Sequence, residues 1–335
     1  MDVSEYDYEF DDDLIAQEPA EPRDHSRLMF VGKEKIEHLK FYNITDILKE
    51  GDVLVKNRSK VIPARLLGKK DTGGKVELLL YNECKTDIWD CLIKGSNIRE
   101  GVKISVGNHD LEVIEHLHGG RFLVRCSNGG RVMREHGEMP TPPYIDRSLS
   151  DPDQYQTVYA EESGSIAAPT AGFHFTEDIL EELENKGVEI HDVILHVGPG
   201  TFIPIRTDEV EEHHMDEEYY VVPKGTARAV TRANEEGRRV ILVGTTTVRA
   251  IESVSQDGVV KPGEGWTDLY IYPGYEFRSG MDLFLTNFHL PRSTPLMLVH
   301  AFGGEKRLRE AYEQAVKRRY RFYSFGDAML LEGKG

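Results

Sequence analysis

The sequence predicts an α/β main domain with a mixed sheet, interrupted by a small inserted β-barrel domain. Three observations point there. After about residue 160, helical and strand-like segments alternate, as in layered α/β folds. Between 61 and 146 the texture changes to short Val-, Ile- and Leu-rich runs separated by glycine turns, the mark of a small sandwich or barrel. A chain of 335 residues is also long enough to bury two cores. Residues 1–60 and 147–335 are therefore assigned to one discontinuous α/β domain, and 61–146 to the insertion.

The elements follow in order. An acidic lead-in precedes a short helix, DILKE, for which Thr45 is a suitable N-cap; Gly51 ends it, and VLVKN (53–57) is a strand. The insertion contributes VIPARLL, KVELLLY, TDIWDCLI, VKISV, DLEVIEHL and RFLVRCS as strands, and MPTPPYIDR (139–147) is an extended exit stiffened by proline. A helix over 177–187 has Thr176 as N-cap and Gly187 as its stop. VEIHDVILHV, a helix at 225–236, RRVILVG, a helix from near Thr247, TDLYIYPG, DLFLTNF, a helix from Ser293, a helix at 305–319 and a last strand near FYSFGDAML complete the pattern.

Composition narrows the class. Cys84, Cys91 and Cys126 form an odd set without CxxC spacing, which suits reduced thiols and a cytoplasmic location. The first residues, MDVSEYDYEF, predict no secretory leader, and no apolar run approaches the roughly 20 residues of a membrane span. The net charge of −17 disfavours nucleic acid on average, but it is unevenly spread. Residues 1–21 hold nine acidic residues and no basic one, whereas KRLREAYEQAVKRRYR (306–321) holds seven basic residues against two acidic. Such a segment is either a solvated helix face or a phosphate-binding patch on an otherwise repelling surface.

Four segments are too rich in small polar residues for ordinary core. GSIAAPTAGFHFT (164–176) carries Thr170 and His174, with small residues that allow close backbone approach to a ligand. LHVGPGTF (195–202) ends a strand with His196, Gly200 and Thr201, where ligands of open α/β sheets collect. VGTTTVRAIES (243–253) places Thr246, Thr247 and Arg249 at a helix start, suited to an anion or carboxylate, although threonine N-capping reads equally well. TNFHLPRSTPLMLVHAF (286–302) offers Asn287 and His289 as hydrogen-bond readers of a heteroaromatic base. EEHHMDEE (211–218) lacks a metal-binding spacing, so no metal is expected.

Together these segments resemble one family, the S-adenosylmethionine:tRNA ribosyltransferase-isomerases of queuosine biosynthesis. The resemblance rests on eight ordered blocks: LIAQEPAEPRDHSRL, GDVLVKNRSKVIPARLLG, MPTPPYI, YQTVYAEESGSIAAPTAGFHFT, LHVGPGTF, GTTTVRAIES, TNFHLPRSTPLMLVHAFGG and YRFYSFGDAML. One departure is Met215-Asp216, where the family tends to show Met-His. The resemblance implies S-adenosylmethionine as co-substrate, and as partner a tRNA with a GUN anticodon carrying 7-aminomethyl-7-deazaguanine. It implies epoxyqueuosine as product, with adenine and methionine released, and an α/β domain bearing an inserted barrel. On this basis His174, His196, His289 and Asp327 are the candidate catalytic residues, the three histidines for proton transfer and Asp327 for an ammonium or ribose hydroxyl. Thr170, Gly200, Thr201, Thr246, Thr247, Arg249 and Asn287 are candidates for co-substrate contacts, with Arg249 as a fork for the methionine carboxylate. Arg23, Arg27, Arg65, Arg318 and Arg319 are candidates for tRNA contacts. A monomer without membrane attachment is expected. The rival readings are an S-adenosylmethionine-dependent RNA methyltransferase, disfavoured by the missing glycine-rich strand-turn-helix; a non-catalytic RNA-binding module; and a metal hydrolase using His191, His213 and His214.

Overall fold

Apolar runs bounded by charged residues, VLV, VILV and LFL, dictate strands covered on both faces. In the computed structural model they become Val53–Asn57, Val240–Val243 and Leu283–Asn287, parallel neighbours at the centre of a nine-stranded sheet. The structure describes residues 1–117, 120–142, 144–145, 151–202 and 205–334, without the side chains of 201 and 202. The sheet runs Gly263–Thr267, Glu218–Val222, Glu189–Leu195, Val53–Asn57, Val240–Val243, Leu283–Asn287, Ala328–Glu332, Arg27–Val31, Ile36–Lys40. Glu189–Leu195 is parallel to the central strands, and antiparallel pairs at Leu283–Asn287 and Ala328–Glu332 and towards both edges make the sheet mixed.

One face of the sheet is closed by an apolar cluster including Leu28, Phe41, Leu54, Phe175, Leu183, Ile241, Leu285 and Leu330. Thr176 caps the helix Glu177–Asn185, its hydroxyl accepting from Ile179 N at 3.2 Å. The helix Gly244–Glu252 begins directly at the end of Val240–Val243, three residues ahead of the expected start, because Gly244 turns the chain at φ +85°.

The chain separates into two compact units, one of residues 1–59, 143–162 and 168–335, the other of 60–142 and 163–167. The second unit is a barrel: Arg65–Lys70, Lys75–Lys85, Ile88–Lys94, Arg121–Arg125, His109–His116 and Lys103–Val106 pair antiparallel in that order, and Lys103–Val106 returns to pair with Arg65–Lys70. Period-two alternation supplies its core, with Val76, Leu78 and Leu80 turned inward from one strand onto Trp89, Cys91, Phe122 and Val124.

Several local expectations are corrected. The DILKE helix is a single turn, Ile44–Ile47, entered from Asn43 rather than capped by Thr45, whose hydroxyl instead donates to Tyr42 O. TDLYIYPG is not a strand beyond Thr267; the pairing segment is Gly263–Thr267, registered on Glu218–Val222. Arg27–Val31 and Ile36–Lys40 form an antiparallel pair that the sequence left unassigned, as it did the barrel helix Gly129–His136.

That helix ends where Gly137 is required: a Cβ there would lie 1.9 Å from Pro63 O and 2.3 Å from Met133 O. Gly137→Ala is expected to destabilise the protein by about 1–3 kcal/mol through overpacking. Gly130, inside the helix with only Arg134 Nη1 at 3.7 Å, should accept alanine neutrally or with a gain of up to ~1 kcal/mol. Urea denaturation of both variants checks this; equal effects would discount the Gly137 contact.

Candidate active site

The four parallel strands finish at one end of the sheet, and there the polar residues gather. Asn57 ends the central strand and is fully buried. Its Oδ1 accepts from Ser59 N (3.0 Å) and Leu195 N (3.1 Å), and its Nδ2 donates to Leu195 O (2.9 Å) and Thr246 Oγ1 (3.1 Å). The amide thereby fixes the end of Glu189–Leu195 and the first turn of Gly244–Glu252. Past Leu195, His196 hydrogen-bonds Ser59 Oγ through Nδ1 at 2.7 Å and stacks on Tyr219 at 6.0 Å. It is half-buried, and burial lowers its pKa. Among the described residues its Nε2 makes no hydrogen bond that competes for a proton.

A buried ion pair ties the surrounding loops. Glu218 accepts from Gly198 N at 2.7 Å and pairs with Arg249 Nη1. The remaining guanidinium groups reach Leu269 O (2.9 Å) and Thr267 O (3.2 Å). Arg249 is thus held by contacts within the protein. A lone guanidinium would be costly at this depth, and Glu218 neutralises it. Glu252, on the same helix, accepts from Tyr275 Oη, Arg278 N and Ser279 N at 2.9–3.1 Å and so holds the following loop.

Between these parts lies a narrow pocket lined by Met215, Thr245, Thr246, Arg249, Leu269, Tyr270, Ile271, Thr294, Pro295 and Leu298. Its walls are apolar with a few hydroxyls, and it encloses only about 20 Å³. Tyr270 Oη faces no hydrogen-bond partner among the described residues. A roomier cleft of about 1130 Å³ shares Tyr270 and is lined further by Tyr272, Tyr275, Phe277 and Arg278.

A second polar cluster stands at the same sheet end. His174 is buried, stacked on Phe41 at 5.1 Å, and bonded to Ser26 Oγ (2.8 Å) and Asn287 Oδ1 (3.1 Å). The tautomer follows from Asn287, whose Nδ2 donates to Tyr323 O and Ser324 O. Its Oδ1 must accept, so His174 carries its proton on Nε2 and receives Ser26 at Nδ1. Burial drops the His174 pKa to about 4. His289 is pushed down to about 3 by the same cause and contacts Thr286 Oγ1 at 2.8 Å.

Several of the expected site residues are held by contacts within the chain. Asn287 bonds His174 through Oδ1 and the carbonyls of Tyr323 and Ser324 through Nδ2. Thr247 is buried and donates to Val243 O at 2.6 Å. Asp327 accepts from Arg27 N, Arg27 Nε and Arg321 N at 2.8–3.0 Å, which makes it an internal anchor. Arg27 lies over the Tyr320 ring at 4.2 Å and reaches Arg318 O; Arg23 donates to Gln156 O and Asp153 O. Arg65 belongs to the barrel unit and pairs with Glu77 and Glu138. Arg319 is exposed but paired with Asp13 at 2.6 Å, and Arg318 is exposed.

Thr170 opens a short turn, Thr170–Gly172, and is half-buried. The small residues after it serve packing: a Cβ on Gly172 would lie 1.9 Å from Tyr159 Oη. Gly200 is likewise occupied from within, since its Cβ would meet Asp216 Oδ2 at 2.5 Å. The Thr201 side chain lies outside the described residues. His191, His213 and His214 form no metal-compatible group among the described residues. Sequence reasoning missed Asn57, Ser59, Glu218 and Glu252. Asn57 was legible as the polar residue ending an apolar strand; Glu218 lies 31 residues from its partner and left no local signal.

The fold and site define an α/β protein with an inserted barrel and with polar residues gathered at the carboxyl ends of its parallel strands. A family model described as queuosine biosynthesis protein matches residues 3–331, and the chain belongs to that family. The S-adenosylmethionine:tRNA ribosyltransferase-isomerase of Thermotoga maritima is 49% identical over 337 residues, covering 99% of this chain and 100% of that one. The protein of the same name from Desulfitobacterium hafniense is 48% identical over 341 residues, with 99% and 100% covered. A crystal structure of the S-adenosylmethionine tRNA ribosyltransferase from Thermotoga maritima aligns with TM-score 0.57 at 39% identity, covering 98% of this chain and 99% of that one. Among the described residues no helix is long and apolar enough to cross a membrane.

The buried histidines generate a pH dependence. Their folded pKa values, about 4 for His174 and about 3 for His289, lie below the unfolded value of 6.5. The unfolded chain therefore binds more protons between these limits. The stabilisation is complete above about pH 6.5 and is lost progressively as pH falls towards 4. Two such groups give a slope of up to about 2.7 kcal/mol per pH unit between pH 6 and 4.5. Urea titrations across this range check it, and His174→Gln should flatten the profile while lowering stability at pH 7.5. A profile unchanged by that substitution would remove His174 as a source.

Proposed function

We propose that this chain transfers and isomerises the ribosyl group of S-adenosylmethionine onto 7-aminomethyl-7-deazaguanine at the tRNA wobble position, forming epoxyqueuosine and releasing adenine and methionine. The observation that carries this reading is identity of nearly one half, end to end, with relatives named for ribosyl transfer and isomerisation on tRNA. The strand ends support it: the cleft of about 1130 Å³ beside Tyr270 has room for a nucleoside with a sulfonium arm, and Thr245, Thr246 and Thr294 offer hydroxyls in the adjoining narrow pocket.

The chemistry asks the protein chiefly to orient and to move protons. The sulfonium acidifies the neighbouring ribose carbon, so a positioned neutral base can take its proton. His196 is our assignment for that base. Its lowered pKa keeps it neutral, Ser59 holds Nδ1, and Nε2 is left to act. His174 is held in buried hydrogen bonds and His289 in a part-buried one, and we assign both as supports. Arg249 and Glu218 act on the pocket by fixing its walls. The reading extends to a tRNA with a GUN anticodon, to a monomer working in the cytoplasm, and to a reaction without metal. Arg318, at the end of the basic helix, remains our assignment for a phosphate contact, with Arg319 available once Asp13 is displaced.

Incubation with precursor-modified tRNA and S-adenosylmethionine should yield adenine and methionine in equal amounts by chromatography. S-adenosylhomocysteine instead would establish methyl transfer, and tRNA binding without loss of the precursor base would establish a binding module. His196→Asn should lower kcat by about 10²–10⁴-fold with S-adenosylmethionine affinity little altered. Single-turnover assays and calorimetry check this; retained kcat would remove His196 from proton transfer.

A further inference from the structure

In the barrel unit, the turn at Gly107 and Asn108 joins Lys103–Val106 to His109–His116, and the helix Gly129–His136 ends beside it. Two glycines fix the approach. Gly137 permits the helix to stop against Pro63, and Gly107, at φ +58°, lies directly under the His136 ring, where a Cβ would sit 2.3 Å from Cε1. The result brings two imidazoles and a carboxylate together. His109 Nε2 is 3.0 Å from Glu135 Oε2, the His109 and His136 rings are 5.6 Å apart, and one donor atom from each of the three residues lies within 4.8 Å of the others.

We propose that His109, Glu135 and His136 form a binding site for a divalent transition-metal ion of the zinc class, unconnected with the transfer reaction. The donor set selects the class. Two imidazole nitrogens and one carboxylate oxygen suit zinc, cobalt, nickel or copper, whereas magnesium and calcium prefer oxygen ligands. The geometry is close to what a cation needs, since ligands at about 2.0–2.2 Å draw the three donors together by a small side-chain rotation. Glu135 is already divided between two tasks. Arg131 holds Oε1 at 2.7 Å from one turn earlier, which leaves Oε2 turned to His109. Asn108 Oδ1, 3.2 Å from His136 Nε2, holds that ring in place, as outer partners of metal-bound imidazoles do. On binding, the cation takes the position of the proton shared by His109 and Glu135. That proton moves to the other ring nitrogen or to solvent, and no electron transfer is involved. Water completes the coordination on the exposed side. The ion would staple the turn to the helix end.

The test uses the untagged full-length protein, stripped of metal by chelator and titrated with zinc chloride in a calorimeter. One equivalent should bind, and magnesium chloride should give no comparable heat. His109→Gln and His136→Gln should each weaken zinc binding by at least about tenfold, the lower end of what losing a mere supporting partner costs. Joint replacement of His213 and His214 by glutamine should leave binding unchanged. Far-UV circular dichroism of the metal-free variants reports folding; should a histidine variant unfold, Glu135→Gln, exposed on the helix, carries the same expectation. Absence of saturable binding, binding that survives these substitutions, or its loss in the His213 and His214 variant would each overturn the proposal.

Discussion

The side-chain amide of Asn57 is the constraint on which the strand ends depend. It sits where four parallel strands stop, in a place closed to water, and it spends both donors and both acceptor positions on neighbouring chain. A buried amide left half-paired costs about 1–3 kcal/mol, so the arrangement is all or nothing. Once the bonds are made, Leu195, Ser59 and Thr246 have fixed positions. His196 is then placed by Ser59, and the threonine-rich helix start by Thr246. Both inherit their geometry from a residue that serves only as a tie between chain segments.

The same economy explains why so many polar candidates are bonded within the chain. A histidine, aspartate or arginine in a small-residue loop has the same local appearance whether it meets a ligand or a backbone carbonyl. Burial decides between the two. Deep inside, the protein must satisfy such groups itself. His174, Asn287, Asp327 and Arg249 are deep and fully bonded. His196 and Thr245 are only half-buried, so a ligand can reach them from outside.

The legible part of the fold was the part written in local pattern. Continuous apolar runs announced the central strands, period-two alternation announced the barrel, and Thr176 announced its helix. The strand pair Arg27–Val31 and Ile36–Lys40 was missed because its outer member, IEHLK, is an edge strand with little apolar face and a half-exposed profile. TDLYIYPG misled because aromatic residues of high strand propensity line a cleft there, outside any sheet. In the site, positions were legible and partners were not. Glu218 and Arg249 meet only because an antiparallel strand and a helix converge from distant stretches of chain, and nothing at either position records the other.

Gly172 and Tyr159 illustrate a consequence for how this chain can vary. The tyrosine hydroxyl occupies the volume that any side chain at 172 would need. With Thr157, whose Cγ2 would lie 2.8 Å from the same Cβ, the two positions form a single steric unit split across fifteen residues of sequence. A larger residue at 172 is admissible only after the ring at 159 has shrunk or turned away, and a smaller residue at 159 leaves a void until 172 grows. Substitution histories through this corner are ordered: one of the two intermediates is overcrowded and the other is hollow, and the hollow one is the passable route.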